Sequence, residues 1–397
     1  MNRTVHIYFP FLFILLFVTA CTQDQIPTEY EFLDVELQQK LEDAAPGLGK
    51  SAFVLPAASN FSAIPQDPKN PITADKVGLG KLLYHETGMA INPINPRSVY
   101  TYSCASCHHV AAGFQAGRMQ GIGEGGLGFG DFGEGRDKDP MYDPDSLDVQ
   151  PIRTPSALNV AYQKLMLWNG QFGATGANIG TEAQWTEGTP KAVNRLGYEG
   201  VEIQAIAGMG VHRLGLDDKW VVDMDYKEMF DKVFASVPED QRYDAEYAGL
   251  AIAAYERTLL PNQAPFQKWL KGDRAAMNEQ EKRGAILFFG KANCVSCHTG
   301  PALNSMEFYA LGMPDLDGPG IYGPGGDDMG ARKGRGGFTG KQEDEYKFKV
   351  PQLYNLREAG PLGHGGNFYT VEEVIRYKNM GIPQQTDVPT ENLAEEF

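Results

Sequence analysis

The sequence predicts a mainly α-helical protein whose helices are joined by long loops rich in glycine and proline. Helical periodicity is clear from Asp244 to Leu260, where Pro261 stops it, and from Val371 to Asn379, which ends near Gly381. No run of alternating apolar and polar residues predicts a sheet. The 46 glycines and 25 prolines among 397 residues indicate extended irregular connections.

An internal repeat indicates that the two halves of the chain are related. The bulky residue near the end of each copy is Trp168 in the first and His364 in the second. The other repeated positions, equally spaced in both copies, are Pro155, Asn159, Asn169 and Gly170, and then Pro351, Asn355, Gly365 and Gly366. We therefore expect two domains of one kind, over residues 66–270 and 271–397.

Four of the five cysteines stand in two copies of one short motif, CxxCH. The copies are Cys104, Cys107 and His108, and Cys294, Cys297 and His298. This is the pattern of covalent haem c attachment, in which two thiols add to the two vinyl groups and the histidine ligates the iron as a neutral imidazole. We therefore predict two covalently bound haem c groups in two cytochrome c-like domains.

Three other uses of these cysteines are open on spacing alone. A zinc site would use all four thiols but gives no reason for a histidine after each pair. Two redox dithiols would need a thioredoxin-like βαβ context, which the sequence does not show. Two disulfides would suit an exported chain. The paired histidines favour haem over all three.

The N-terminus predicts export and a lipid anchor. Residues 7–20 carry no charge and are too few to span a bilayer, so they indicate the core of a signal peptide. Small residues before Cys21 resemble a bacterial lipoprotein signal, with an ordinary secretory peptide as the alternative. We assign residues 1–20 to the signal peptide and 21–65 to an acidic tether, which places the protein in the periplasm on a lipid anchor.

The net charge of the chain indicates which classes of molecule it can bind. The chain has 35 Lys and Arg against 51 Asp and Glu, a net charge of −16. This excess of acid argues against nucleic acid as a partner, because phosphate binding needs clustered cations. It favours a basic protein partner attracted over long range, although solubility alone is a simpler explanation.

The chain resembles the bacterial dihaem cytochrome c peroxidase family, which includes the MauG-type enzymes that oxidise tryptophans on a partner protein. The resemblance runs from Lys69 to the C-terminus. The segments that carry it include Ser103–His108, Arg153–Ser156, Trp168–Gly170, Ala254–Leu259, Cys297–Pro301 and Phe348–Leu353. It implies two helical cytochrome c domains with the site between them, where the first haem reacts with peroxide and the second receives electrons.

The resemblance also assigns roles around the first haem. Trp168 matches the family tryptophan that relays electrons between the haems. Gln204 is the best match for a glutamine that handles peroxide together with an acid, but Leu214 stands at the position of the acid. His212, two positions earlier, is our candidate proton donor and acceptor, or else a sixth iron ligand.

Members that rest inactive carry a distal histidine on the first haem, and here Glu124 stands at that position. It belongs to the glycine-rich stretch 113–135, which we expect to form a loop near the first haem. The first iron is therefore expected to be open to peroxide without prior reduction, as in the MauG type.

The second haem departs from the family pattern of a Met or Tyr ligand. Alignment on Pro361 places Lys378 at the ligand position, whereas the thioether of Met380 would suit a haem that accepts electrons. Both residues are candidates, and a shifted helix would bring Tyr377 into range as well. At the asparagine that binds calcium in the family this chain has Arg153, whose positive charge argues against calcium.

These features predict a dihaem c-type peroxidase that reduces hydrogen peroxide to water with electrons from a small soluble c-type cytochrome or similar carrier. It would contact the membrane only through its lipid. One alternative is a MauG-like high-valent haem oxidase of a protein or organic substrate. Another is a dihaem electron-transfer cytochrome without a catalytic site, which the missing acid favours.

Overall fold

The computed structural model describes residues 29–130, 132–323 and 329–397, so the predicted signal peptide and Cys21 lie outside the described residues. The described chain is mainly helical, as predicted. The helices are α1 (Glu29–Ala44), α2 (Ala74–His85), α3 (Gly200–Val211), α4 (Asp218–Asp223), α5 (Lys227–Val233), α6 (Ala245–Glu256), α7 (Pro265–Leu270), α8 (Glu279–Phe289), α9 (Met329–Arg332), α10 (Gly334–Thr339) and α11 (Val371–Met380).

The strands within the described ranges form two short antiparallel pairs. In the first, β1 (Gly126–Leu127) pairs with β2 (Asp137–Lys138) inside the glycine-rich stretch. In the second, β3 (Phe308–Tyr309) pairs with β4 (Phe348–Lys349) in the C-terminal half. None of the helices in the described part of the chain has the length and apolar character needed to cross a membrane.

Helices α2, α3 and α6 pack together at the centre of the first domain. Gly80 allows α2 to lie directly on α6, because a Cβ at that position would fall 1.8 Å from the carbonyl oxygen of Ala251. Just beyond α6, the guanidinium of Arg257 donates to both carboxylate oxygens of Glu202 in α3, at 2.8 and 2.6 Å. Both side chains are fully buried, so this bidentate pair joins the two helices inside the core.

The two helices predicted from periodicity both form. Helix α6 begins after Asp244, whose carboxylate accepts hydrogen bonds from two backbone N–H groups of the first turn, and it ends at Glu256, earlier than predicted. Helix α11 has a capping box at Thr370 and stops at Gly381, which adopts the left-handed conformation with φ 61°. Helix start and stop signals were therefore readable from local sequence.

The tether assigned to residues 21–65 needs correction, because residues 29–65 are folded. Helix α1 packs on α8, and its Leu37 and Leu41 are fully buried in the core of the second domain. Asp34 of α1 forms a buried ion pair with Lys282, 2.6 Å between Nζ and Oδ1. The acidic residues of this segment led to the prediction of a tether, but the segment forms a helix with one apolar side. Helix α7, which precedes the predicted boundary at residue 271, also packs in this core.

Candidate active site

Each CxxCH motif folds as one helical turn, Cys104–Ser106 in the first copy and Cys294–Ser296 in the second. In both copies the backbone N–H of the histidine donates to the carbonyl of the first cysteine. No disulfide joins any two of these four cysteines. Over residues 29–130, 132–323 and 329–397, no three His, Cys, Asp or Glu side chains lie close enough to hold a metal ion. Neither the four-cysteine zinc site nor the disulfides are formed.

Both motif histidines are oriented as haem ligands need to be. The Nδ1 of His108 lies 2.9 Å from the carbonyl of Phe114, and the Nδ1 of His298 lies 3.1 Å from the carbonyls of Leu303 and Pro351. A proton held at Nδ1 leaves the Nε2 lone pair for iron. Burial lowers the pKa of His108 to about 4 and also lowers the pKa of His298, so both imidazoles are neutral. The two motifs therefore fit haem c.

The glycine-rich stretch lies against the first motif, as the sequence predicted. A Cβ at Gly121 would come within 3.0 Å of the Sγ of Cys107, and a Cβ at Gly123 would come within 2.2 Å of the Oδ2 of Asp148. The loop can therefore pass between the first haem-binding turn and Asp148 only because these two positions have no side chain.

One face of α3 presents the two predicted catalytic side chains. A Cβ at Gly208 would lie 3.6 Å from the Nε2 of Gln204 and 3.9 Å from the Cδ2 of His212, so these residues share that face. Gln204 is half-buried, and His212 stands at the C-terminal end of the helix. Burial is the main cause that lowers the pKa of His108, and a charge on His212 lowers it further. The end of α3 therefore lies near the first motif.

His212 has a carboxylate partner. Its Nδ1 lies 2.8 Å from the Oδ2 of Asp148, which is 5% exposed. Burial by itself would lower the pKa of His212, but the charge and hydrogen bond of Asp148 outweigh it and raise the pKa above its usual value. His212 is therefore a stronger base than an ordinary histidine.

Glu124, which stands where some relatives carry a distal histidine, is fully buried and bonded on both oxygens. Its Oε1 accepts from the backbone N–H of Asn95 at 2.9 Å and from the hydroxyl of Tyr142. Its Oε2 accepts from the guanidinium of Arg213 at 2.6 Å. This carboxylate holds the loop to the end of α3.

The two copies of the repeat meet where the domains touch, and they do so reciprocally. The backbone N–H of Arg153 donates to the carbonyl of His364 at 2.9 Å, and that of Lys349 donates to the carbonyl of Trp168 at 2.7 Å. Arg153 and Lys349 occupy the same position in the two copies, and so do Trp168 and His364. The interface therefore has an approximate two-fold relation, and Trp168 takes part in it.

Both cationic side chains of this interface are buried. The guanidinium of Arg153 donates to the carbonyl of Ala359 at 2.5 Å and to the side-chain oxygen of Gln115. The amine of Lys349 donates to Gln163 Oε1 at 2.5 Å and to the carbonyl of Leu165 at 2.6 Å. Each cation therefore satisfies oxygens where the two halves of the chain meet.

The candidate ligands of the second haem are placed unequally. Met380 is 65% exposed, and the hydroxyl of Tyr377 is occupied by a 2.6 Å hydrogen bond to the carbonyl of Leu311. Lys378 is also exposed. Burial has the largest effect on the pKa of Cys294 and of His298, and the charge of Lys378 lowers both pKa values. Lys378 therefore lies near the second motif.

Sequence reasoning missed Asp148, Arg213 and Lys349 as site residues. Asp148 is one of five aspartates between residues 137 and 148, and nothing in their spacing separates it from the others. Lys349 was visible only as part of a family segment. The interface positions could have been found by asking which residues precede the repeated prolines, since Arg153 and Lys349 both do.

Comparisons with known proteins agree with this architecture. The family model for di-haem cytochrome c peroxidase matches residues 74–275. Cytochrome-c peroxidase IdrP1 of Denitromonas iodatirespirans is 30% identical, over 87% of this chain and 83% of its own length. Methylamine utilization protein MauG of Methylorubrum extorquens strain AM1 is 27% identical, over 79% of this chain and 71% of its own.

A solved structure supports the fold. The crystal structure of a MauG-like protein associated with microbial copper homeostasis matches with a TM-score of 0.57 and 24% identity, covering 82% of each chain. The sequence relatives, the family model and the fold agree, and the chain belongs to the di-haem cytochrome c peroxidase family.

Proposed function

We propose that this protein reduces hydrogen peroxide to water at the first haem, with electrons that a small c-type cytochrome or similar carrier delivers to the second. The observation that carries the proposal is the face of α3, which presents an amide, Gln204, and a carboxylate-bound imidazole, His212, beside the first haem motif. An electron-transfer cytochrome without a catalytic site has no need of this pair.

The chain's own residues supply binding, orientation and proton transfer. His108 and His298 would hold the two irons, and Cys104, Cys107, Cys294 and Cys297 would carry the thioether bonds. Each haem supplies a redox-active iron. The amide of Gln204 can hold peroxide by hydrogen bonds, and His212 can take a proton from the inner oxygen and give it to the outer oxygen, which leaves as water. Trp168 lies on the route between the domains.

Access to the first iron depends on whether Glu124 is free to bind it. Its carboxylate is bonded to Arg213, Tyr142 and Asn95, so the residue at the position of a distal histidine is held away from ligation. The same observation favours a second candidate function, oxidation of a protein or organic substrate in the manner of MauG, because both functions need an open iron. The two functions differ in the source of electrons, which is a cytochrome in the first and the oxidised substrate itself in the second.

The second iron is proposed to take Lys378 as its distal ligand. Val371 and Ile375 share a helical face with Lys378 and are 39% and 62% exposed although apolar. A flat apolar cofactor against this face would cover both side chains. Met380 remains the alternative ligand.

Steady-state turnover tests the main proposal. Fully oxidised and half-reduced protein would be mixed with hydrogen peroxide and a reduced basic cytochrome c, and oxidation of the cytochrome followed. We expect turnover whose rate falls as salt rises, because the chain carries a net charge of −16. Absence of turnover in both states would contradict the proposal, and turnover with organic reductants alone would favour the second candidate.

Variants on α3 locate the chemistry. His212→Ala should slow peroxide cleavage by about 100-fold, the usual scale for losing a general acid–base group. Gln204→Ala should raise the peroxide concentration needed for half-maximal rate, and Gln263→Ala, in an exposed loop, serves as its control. An unchanged rate in His212→Ala would remove this residue from the mechanism.

The cell location is also a proposal. Cys21 is proposed to carry a lipid that holds the protein at a bacterial membrane, facing the periplasm. Labelling with a fatty-acid analogue should mark the wild type and leave Cys21→Ala unlabelled. Equal labelling of both would place the lipid elsewhere, and no labelling of the wild type would indicate an ordinary secretory peptide.

A further inference from the structure

Two consecutive residues at the end of α3 each bind a buried carboxylate of the neighbouring loops. His212 binds Asp148 at 2.8 Å, and Arg213 binds Glu124 at 2.6 Å. Arg213 adopts the left-handed backbone conformation, φ 56°, which is uncommon for a residue with a side chain. The helix end is thereby fixed to the loop by two separate ion pairs.

Asp148 is itself held rigidly. Its backbone N–H donates to the carbonyl of Glu124 at 3.1 Å, and its carbonyl accepts from the N–H of Gly123 at 2.9 Å. Its carboxylate fills the space beside Gly123 in which any side chain would collide. A buried carboxylate placed by its own backbone in this way has little freedom to leave the imidazole.

This contact determines which imidazole nitrogen carries the proton. An ionised carboxylate only accepts hydrogen bonds, so Nδ1 of His212 must donate. The other nitrogen, Nε2, then has its lone pair free, and it makes no hydrogen bond within the described residues. The side chain is 34% exposed, so the imidazole is not closed off from solvent.

We propose that Asp148 is a positioning residue for peroxide cleavage, which holds His212 by Nδ1 and keeps the Nε2 lone pair available as the base. The inference rests on the proposed function. In the step, the O–H bond of the inner peroxide oxygen breaks and its proton binds Nε2. The O–O bond then breaks with two electrons from the reduced enzyme, and the same proton passes to the outer oxygen, which leaves as the first water. The inner oxygen takes two protons from solvent and leaves as the second water.

Cyanide association gives a test that needs no turnover. Hydrogen cyanide must lose its proton to bind ferric iron, so a base beside the iron accelerates it. Asp148→Asn should slow cyanide association and peroxide cleavage by roughly 10- to 100-fold, because the amide can hold the other tautomer. Asp137→Asn removes the same charge from an exposed position that is paired with Arg118, and it should match the wild type.

A double variant shows whether Asp148 acts through the histidine. In the His212→Ala background, Asp148→Asn should cause no further loss, since the group that it positions is gone. Asp148→Glu should recover part of the rate. Wild-type rates in Asp148→Asn, or losses that add fully in the double variant, would overturn the proposal.

A measurement on the wild type covers the case in which Asp148→Asn does not fold. Nitrogen-15 NMR of labelled histidine in the fully reduced, carbon monoxide-bound holoprotein should show His212 protonated at Nδ1. Protonation at Nε2 alone would overturn the inference. If the wild type consumes no peroxide, the proposed function fails, while cyanide association and the tautomer still decide whether Asp148 positions His212.

Discussion

The indole nitrogen of Trp168 donates a 2.9 Å hydrogen bond to the backbone carbonyl of Arg153. The same ring meets His364 edge to face, with 6.3 Å between the ring centroids. The indole is therefore fixed by its own domain on one side and by the second domain on the other. A ring held in this way keeps a constant geometry, as the proposed electron relay requires.

Trp168→Phe should slow electron transfer between the haems by about 10-fold or more, because it removes the indole and its hydrogen bond while keeping an aromatic ring. The rate would be followed by stopped-flow absorbance after one-electron reduction. Trp220→Phe is the matched control, since Trp220 also donates through its indole, to the carbonyl of Gly88, but inside the first domain. Equal rates in wild type and Trp168→Phe would exclude the relay.

Lys349 should make stability depend on pH. Burial lowers its pKa to about 7, from 10.5. Between these values the unfolded chain keeps a proton that the folded chain has released, so the contribution of Lys349 to the free energy of unfolding rises with pH over this window. Urea denaturation from pH 6 to 9 should show that Lys349→Met loses this rise, whereas the exposed Lys341→Met keeps it. Parallel curves for Lys349→Met and wild type would contradict it.

Glu256 should have the opposite effect. Burial, with a smaller contribution from Glu202, raises its pKa to about 8, and its Oε2 has no hydrogen-bond partner among the described residues. From pH 4.5 to 8 the folded chain keeps a proton that the unfolded chain loses, so this residue lowers the free energy of unfolding as pH rises. Glu256→Gln should therefore gain stability over wild type as pH increases, as measured by urea denaturation. The exposed control Glu343→Gln should show no such gain in stability. If Glu256→Gln also shows no gain as pH rises, the prediction is refuted.

Lys378→Ala should change the spectrum of the second haem, because the proposed distal ligand is lost. Near-infrared magnetic circular dichroism and electron paramagnetic resonance of the oxidised protein would show the second haem moving from low to high spin. Met380→Ala should leave both spectra unchanged, since that side chain is 65% exposed. The reverse pattern would assign the ligand to Met380.

Arg153 should make the interface independent of calcium. The melting temperature of the wild type should be the same with calcium as with a chelator, since a buried guanidinium already supplies positive charge to Ala359 and Gln115. Arg153→Met should lower the free energy of unfolding by about 2–4 kcal/mol, because those oxygens lose their donors. Arg376→Met breaks a pair with Glu372 in which both side chains are exposed, and it should cost less than about 1 kcal/mol. A chelator-sensitive wild type would contradict the prediction.

Local signals were sufficient for the haem motifs and for much of the helical structure. His108 and His298 follow directly from the CxxCH pattern, and the ends of α11 follow from Thr370 and Gly381. Helix α1 also carried a readable signal, because Leu33, Leu37 and Leu41 are spaced four residues apart and are all buried. Its acidic residues led to the prediction of a tether, since Glu31, Glu42 and Asp43 are exposed although Asp34 is buried against Lys282.

The environment of the first haem was not predictable, because it depends on pairings between distant segments. His212 and Asp148 are 64 residues apart, and Arg213 and Glu124 are 89 apart. The family pattern suggested that an acid was missing because Leu214 stands at its position. The structure instead brings a carboxylate to His212 from the loop after the first haem motif, which no spacing rule would reveal.

Helix α1 also imposes an order on folding. Asp34 accepts a hydrogen bond from the indole of Trp269 across 235 residues, so the second core cannot close until that later segment has emerged. The first core lies within the intervening chain and can form earlier. Until the segment that carries Trp269 arrives, Leu37 and Leu41 on the apolar side of α1 have no core in which to pack.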